Sequence, residues 1–172
     1  MNNIIKKSLI GGAMVLGSVG IAQAATVTPG VGTYSFAGPA TLSAFGINPM
    51  CTLELTGDVQ KNGNGGVTVT VTDGDATGGF ACGFVGFEFP WTAEVSADQI
   101  PADPTQSVPI MFDNVVVTAI GSNCTDEPTS IPAIFSNGDP ISEPSSFSFN
   151  ANIGSCAVNG TVSAQSDVNV TQ

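Results

Sequence analysis

Paired carboxylates are the one piece of catalytic machinery this chain could assemble. Glu88 with Glu94, or Glu54 with Asp58, would supply the two carboxyl groups on which glycoside hydrolysis can run, yet nothing in their spacing sets either pair across a cleft. The rest of the usual repertoire is missing. The chain has no histidine and no arginine, and beyond residue 24 a single lysine, Lys61, faces fourteen carboxylates. General acid–base and nucleophilic sites rely on histidine, or on a cation that activates a nucleophile or steadies a developing negative charge. No G-x-S-x-G stands in the sequence, and a cysteine nucleophile would lack a base. These residues exclude most enzyme classes and any evident cofactor site. A binding, interfacial or structural protein is the expectation.

The remaining reactive groups are four cysteines, Cys51, Cys82, Cys124 and Cys156. An even number in an exported chain reads as two disulfides, for which three pairings are open. Cys51 with Cys82 and Cys124 with Cys156 is the favoured pairing, because each pair brackets a plausible hairpin. Without histidine or C-x-x-C, a metal site is the poorer reading of the same residues. Asp73-Gly74-Asp75, Asp126-Glu127 and Asn137-Gly138-Asp139 invite a calcium site, but they lack the spacing of a calcium loop and read better as turn formers. The sequons at Asn123, Asn159 and Asn169 are the kind that Asn/Thr-rich chains produce by chance, and no role is assigned to them.

Lys6 and Lys7 precede an apolar run from Leu9 to Ile21 that ends in Ala22-Gln23-Ala24. This is the pattern of a secretory signal peptide over residues 1–24, cleaved before Ala25; the run is too short and too glycine-broken for a transmembrane anchor. Cleavage leaves residues 25–172 as one domain of 148 residues, able to bury roughly 70% of its unfolded surface. The net charge becomes −13. Such a surface repels nucleic acid and anionic headgroups. Because the charged fraction is only 10%, the exterior must be mostly Ser, Thr, Asn, Gln and Gly.

The elements that would carry these residues follow a period of two. Val67, Val69 and Val71 alternate with Thr68, Thr70 and Thr72; Phe147, Phe149, Ala151 and Ile153 alternate with Ser146, Ser148, Asn150 and Asn152. Comparable runs cover Thr33–Phe36, Ala40–Phe45, Cys51–Val59, Gly83–Trp91, Pro109–Ile120, Ile131–Phe135, Cys156–Ala164 and Val168–Val170. No window shows an amphipathic helix. The expected fold is all-β: a single antiparallel β-sandwich or jelly-roll-like domain of about nine or ten strands with two disulfides. Lys61–Gly66 is a turn, and Pro101–Pro109 an extended surface loop.

Phe84 to Trp91 concentrates four aromatics in eight residues. Alternation sends Phe87, Phe89 and Trp91 to one face and Glu88 to the other. A core strand is the plain reading of that face, and an exposed strip for an apolar or sugar partner is the functional one. The candidate apolar contact surface comprises this strip (Phe84, Phe87, Phe89, Trp91) with Ile47 and Met50 from the loop Ile47-Asn48-Pro49-Met50.

Phe36-Ala37-Gly38-Pro39-Ala40-Thr41-Leu42-Ser43, Cys51-Thr52-Leu53-Glu54-Leu55-Thr56-Gly57, Phe89-Pro90-Trp91, Asn137-Gly138-Asp139-Pro140-Ile141-Ser142 and the tail through Gly154-Ser155-Cys156-Ala157-Val158-Asn159-Gly160-Thr161 together resemble the PraA/PraB-like activators of alkane oxidation, secreted proteins of Gram-negative bacteria. The resemblance covers nearly all of residues 25–172 and its motifs are structural. It implies an exported, non-enzymatic accessory that promotes growth on long-chain hydrocarbons and associates with biofilm matrix, with a hydrocarbon or oil–water interface, or cell-surface components, as partner. The rival expectation is a fibre or matrix subunit that self-associates by lending Thr26–Phe36, or the tail Val168–Gln172, to a neighbouring sheet.

Overall fold

The computed structural model describes residues 23–172, so the expected leader lies, apart from Gln23 and Ala24, outside the described residues. In chain order the strands are β1 (Thr26–Thr28), β2 (Gly32–Ala44), β3 (Met50–Lys61), β4 (Val67–Gly78), β5 (Val85–Glu88), β6 (Trp91–Val95), β7 (Val108–Ala119), β8 (Ser122–Asn123), β9 (Thr129–Ser136), β10 (Ser146–Ile153), β11 (Cys156–Ala164) and β12 (Asn169–Thr171). Short 3-10 turns occupy Phe80–Phe84 and Ala97–Gln99. Among the described residues no helix is long and apolar enough to cross a membrane.

Eight strands close into a barrel in the order β2, β3, β4, β6, β7, β9, β10, β11 and back to β2, all paired antiparallel. The all-β class and the two disulfides are as expected, and the closed barrel corrects the expected sandwich or jelly roll. Alternation looks the same whether a sheet packs on a second sheet or curls onto itself. Closure is decided by β7, whose first half pairs with β9, and by β11, which returns to β2. Both are long-range pairings that a period of two does not encode. The aromatic run is also not one strand. Its first part, β5, runs against the far half of β7, whereas β6 pairs with β4, and Pro90 between them has no N–H to continue a ladder. Conversely, Thr33–Phe36 and Ala40–Phe45 merge into the single strand β2, and Asp73-Gly74-Asp75 lies within β4 rather than in a loop.

Apolar side chains point inward and polar ones outward, the inverse of a lipid-embedded barrel. On β3, Cys51, Leu53, Leu55 and Val59 are buried while Thr52 and Glu54 are exposed. An eight-stranded barrel is just wide enough for side chains to fill. Halfway along, Phe147 packs its ring 4.7 Å from Phe36, 5.2 Å from Phe135 and 5.6 Å from Phe112, an aromatic layer that blocks the interior. Glycines let the walls approach: a Cβ at Gly38 would sit 2.2 Å from the Thr161 carbonyl oxygen.

The barrel has two distinct poles. At one, β1 and β12 pair as a ribbon across the opening, and Val27 and Val168 are buried there. Asn137, 2% exposed, fastens the ribbon: its Nδ2 donates to the carbonyls of Pro104 (3.0 Å) and Val170 (2.8 Å), and its Oδ1 accepts from the Val170 N–H (2.7 Å). We call this the terminal pole. The other carries the β2–β3, β4–β5, β7–β9 and β10–β11 connections and both disulfides.

Candidate functional site

The disulfide pole is built from tight turns. Ala44 and Ile47 exchange backbone hydrogen bonds of 2.9 Å in each direction around Phe45-Gly46, whose φ angles are 48° and 86°. Ala119 pairs with Ser122 around Ile120-Gly121, with φ of 54° and 73°. Two positive φ values in a two-residue hairpin loop define a type I′ turn, which ordinarily places Asn, Asp or Gly first. Here the first positions hold an aromatic and a β-branched residue. Each costs about 1–2 kcal/mol in that conformation. Burial offsets that cost only in part, since Phe45 is 52% and Ile120 48% exposed.

A third projection is the 3-10 turn after β4, which carries Phe80 and Phe84 with ring centroids 4.9 Å apart. The Cys51–Cys82 disulfide ties this turn to the start of β3, beside the exposed Met50. The Phe84 carbonyl accepts from the Ile120 N–H at 2.9 Å, joining the turn to the neighbouring tip. Cys124–Cys156 fastens the β7–β9 connection to the β10–β11 turn, and the Ser155 N–H donates to the Cys124 carbonyl at 2.8 Å. Phe45, Ile47, Met50, Phe80, Phe84 and Ile120 thus form a stapled apolar rim. The only charged residues in its connecting loops are Asp126 and Glu127.

The residues proposed from sequence divide between this rim and the core. Ile47, Met50 and Phe84 lie on the rim. Phe87 and Phe89 are half-buried, and Trp91 is 3% exposed with its Nε1 donating to the Glu88 carbonyl at 2.7 Å. Phe87 and Phe89 pack around Trp91 at 5.6 and 5.0 Å, so these three share one face, as expected, but that face is turned inward. Phe45, Phe80 and Ile120 were missed. The available signal was an apolar residue directly before Gly at two hairpin tips.

Beneath the rim, Ile47, Phe84 and Ile120 close over a cavity of about 40 Å³ that reaches Leu53, Trp91 and Phe149. Small-molecule pockets run to about 300–1,000 Å³, so this void is a packing gap rather than a ligand chamber. A shallow groove of about 540 Å³ crosses the outer wall along β7, β9 and β10, with Met111 and Ile134 half exposed in it.

The charged candidates do not converge. Glu54 and Asp58 lie on the outer face of β3, and Glu88 and Glu94 on different strands. Among the described residues no group of three or more His, Cys, Asp or Glu could hold a metal ion. Asp73 and Asp75 instead accept from the N–H groups of their own neighbours, Gly74 (2.9 Å) and Ala76 (2.8 Å). Asp103, in the exposed β6–β7 loop, is held below the usual carboxylate range by the backbone N–H and hydroxyl of Thr105.

No curated protein and no solved structure matches the chain. The model of one family, described as alkane oxidation protein activator, PraA/PraB-like, matches residues 1–172. Matched along its whole length, the chain belongs to that family.

Proposed function

We propose that this protein is an exported, non-enzymatic accessory that helps a bacterium reach and grow on long-chain hydrocarbons by acting at the boundary between oil and water or at the cell surface. The observation that carries this reading is the apolar rim, set on a barrel whose outer wall, the Met111–Ile134 groove apart, is neutral-polar and acidic. Moving apolar surface out of water contributes about 25 cal/mol per Å², so six exposed apolar side chains at one pole favour contact with an oil phase. Carboxylates left in water on the wall and the terminal pole would make coated droplets repel one another, an effect that salt screens. Export is supported by the leader pattern of residues 1–24 and by the two disulfides, which persist in oxidising compartments.

Assembly into a fibre by strand donation has less support. Of Thr26–Phe36, Thr26–Thr28 forms β1, already paired with β12, and Thr33–Phe36 sits in β2, paired with β3 throughout and with β11 at Phe36; the tail Val168–Gln172 contributes β12. The test is a clean deletion scored for growth on hexadecane and on a soluble carbon source, with purified protein added back. Slower growth on hexadecane alone, restored by the protein, is expected. Equal growth of deletion and parent on hexadecane would end this reading.

A further inference from the structure

We infer that Phe45 and Ile120 are insertion anchors, held outward in a conformation unfavourable to them so that the disulfide pole enters a liquid saturated hydrocarbon tip first, with the barrel axis crossing the boundary. The inference rests on the interfacial reading above and names the atoms that make the contact.

Two independent hairpins carry the same anomaly at the same pole. Each sets a bulky apolar residue with φ near 50° before a glycine that also has positive φ, where Asn or Asp would suit the turn better. Each side chain remains about half exposed, so about half of the apolar surface it could bury is left in water. The longer turn between β3 and β4, at the opposite pole, draws its residues 62–66 from Asn and Gly alone and has Asn62 Oδ1 accepting from the N–H groups of Asn64 and Gly66. Ordinary turn chemistry is therefore available to this fold. Unfavourable backbone at a tip that leaves about half of its side chain in water points to what the tip meets outside.

The charges select what that is. The rim has no cation with which to meet an anionic headgroup, and the chain as a whole is strongly acidic. A second copy, rim against rim, would bring Asp126 and Glu127 of both molecules together. A saturated hydrocarbon carries no charge to oppose and no polar group to satisfy. Its surface is also deformable, which suits separate projecting tips better than it suits a concave recognition site, and the cavity behind them holds only about 40 Å³. Asp126 and Glu127 follow Ile120 in the same connection and stay in water, so entry stops at the tips.

The test compares full-length secreted protein with Phe45→Asn, Ile120→Asn, the double variant and Ile120→Thr. Three measurements are made: interfacial tension of a hexadecane drop, thermal unfolding, and binding to phosphatidylglycerol vesicles alongside sedimentation. Each asparagine is expected to raise the unfolding temperature by about 2–4 °C. The double variant should need about tenfold more protein to lower the tension equally. Ile120→Thr keeps the β-branched strain but not the apolar surface; it should unfold with the wild type and still adsorb more weakly. A double variant that adsorbs like the wild type, or asparagine variants that unfold at or below the wild-type temperature, would overturn the anchors while leaving the interfacial reading intact. Wild-type protein that dimerises through the rim or prefers the anionic vesicles to the drop would overturn the choice of occupant. Wild-type protein inert at the drop would sink the interfacial reading itself.

Discussion

The two poles of the barrel solve the same problem, closing the end of a curled sheet, with opposite chemistry. At the terminal pole the chain ends cross the opening as a ribbon, Asn137 satisfies three backbone partners, and the connections and strand ends carry Lys61, Asp98, Asp103, Asp139, Glu143 and Asp167. At the disulfide pole two covalent links replace such a hydrogen-bonding residue, charge falls to Asp126 and Glu127, and six large apolar side chains face water, against Val31 and Ile141 in the connections of the terminal pole. Polar closure needs water around it to solvate the loops. A pole that leaves water cannot depend on that solvation, whereas disulfides and tight turns hold their shape in either phase.

Variants aimed at one pole at a time test this division. The largest effect is expected from Cys51→Ala with Cys82→Ala, which removes a link across 31 residues and should cost about 2–4 kcal/mol in denaturant unfolding. Because that link holds the turn bearing Phe80 and Phe84, adsorption to hexadecane should fall as well. Asn137→Ala comes next. It leaves the Pro104 and Val170 backbone groups without a partner and should cost about 1–3 kcal/mol, yet at a temperature where the protein stays folded its drop tension should match the wild type. Loss of adsorption in that variant would show that the poles are not separate. The smallest change in stability, within about 0.5 kcal/mol, is expected for Met50→Gln with Phe80→Gln, both at exposed rim positions. Reduced adsorption without altered unfolding would locate the effect at the surface.

Much of the wall was legible in the alternation. Val67 and Val71 are buried, Phe147, Phe149, Ala151 and Ile153 all point inward, and the cysteines join the two pairs that bracket β3–β4 and β9–β10. Closure was not legible, because it depends on long-range pairings and on register shifts at Thr56/Gly57 and between Phe112 and Val115, neither of which disturbs the local pattern enough to be read. The rim was half legible. Ile47, Met50 and Phe84 stood out as apolar residues in loop or aromatic contexts, but Phe45 and Ile120 looked like the last residues of alternating strands. Only their backbone angles mark them as turn tips. Trp91 drew attention by its rarity, and its size explains instead why it fills the barrel beside Phe87 and Phe89.

Curling the sheet shut also governs behaviour under crowding. On the proposed function, molecules gathered on a droplet would meet at concentrations far above those in bulk, where an open strand edge would template neighbour after neighbour into a cross-β skin. Here the eight wall strands pair in a closed ring that has no end strand, the stretch of β4 beyond Val71 pairing with β3 alone, and β1, β5, β8 and β12, outside the wall, span two to four residues each. The coat expected on that proposal is a film of separately folded molecules.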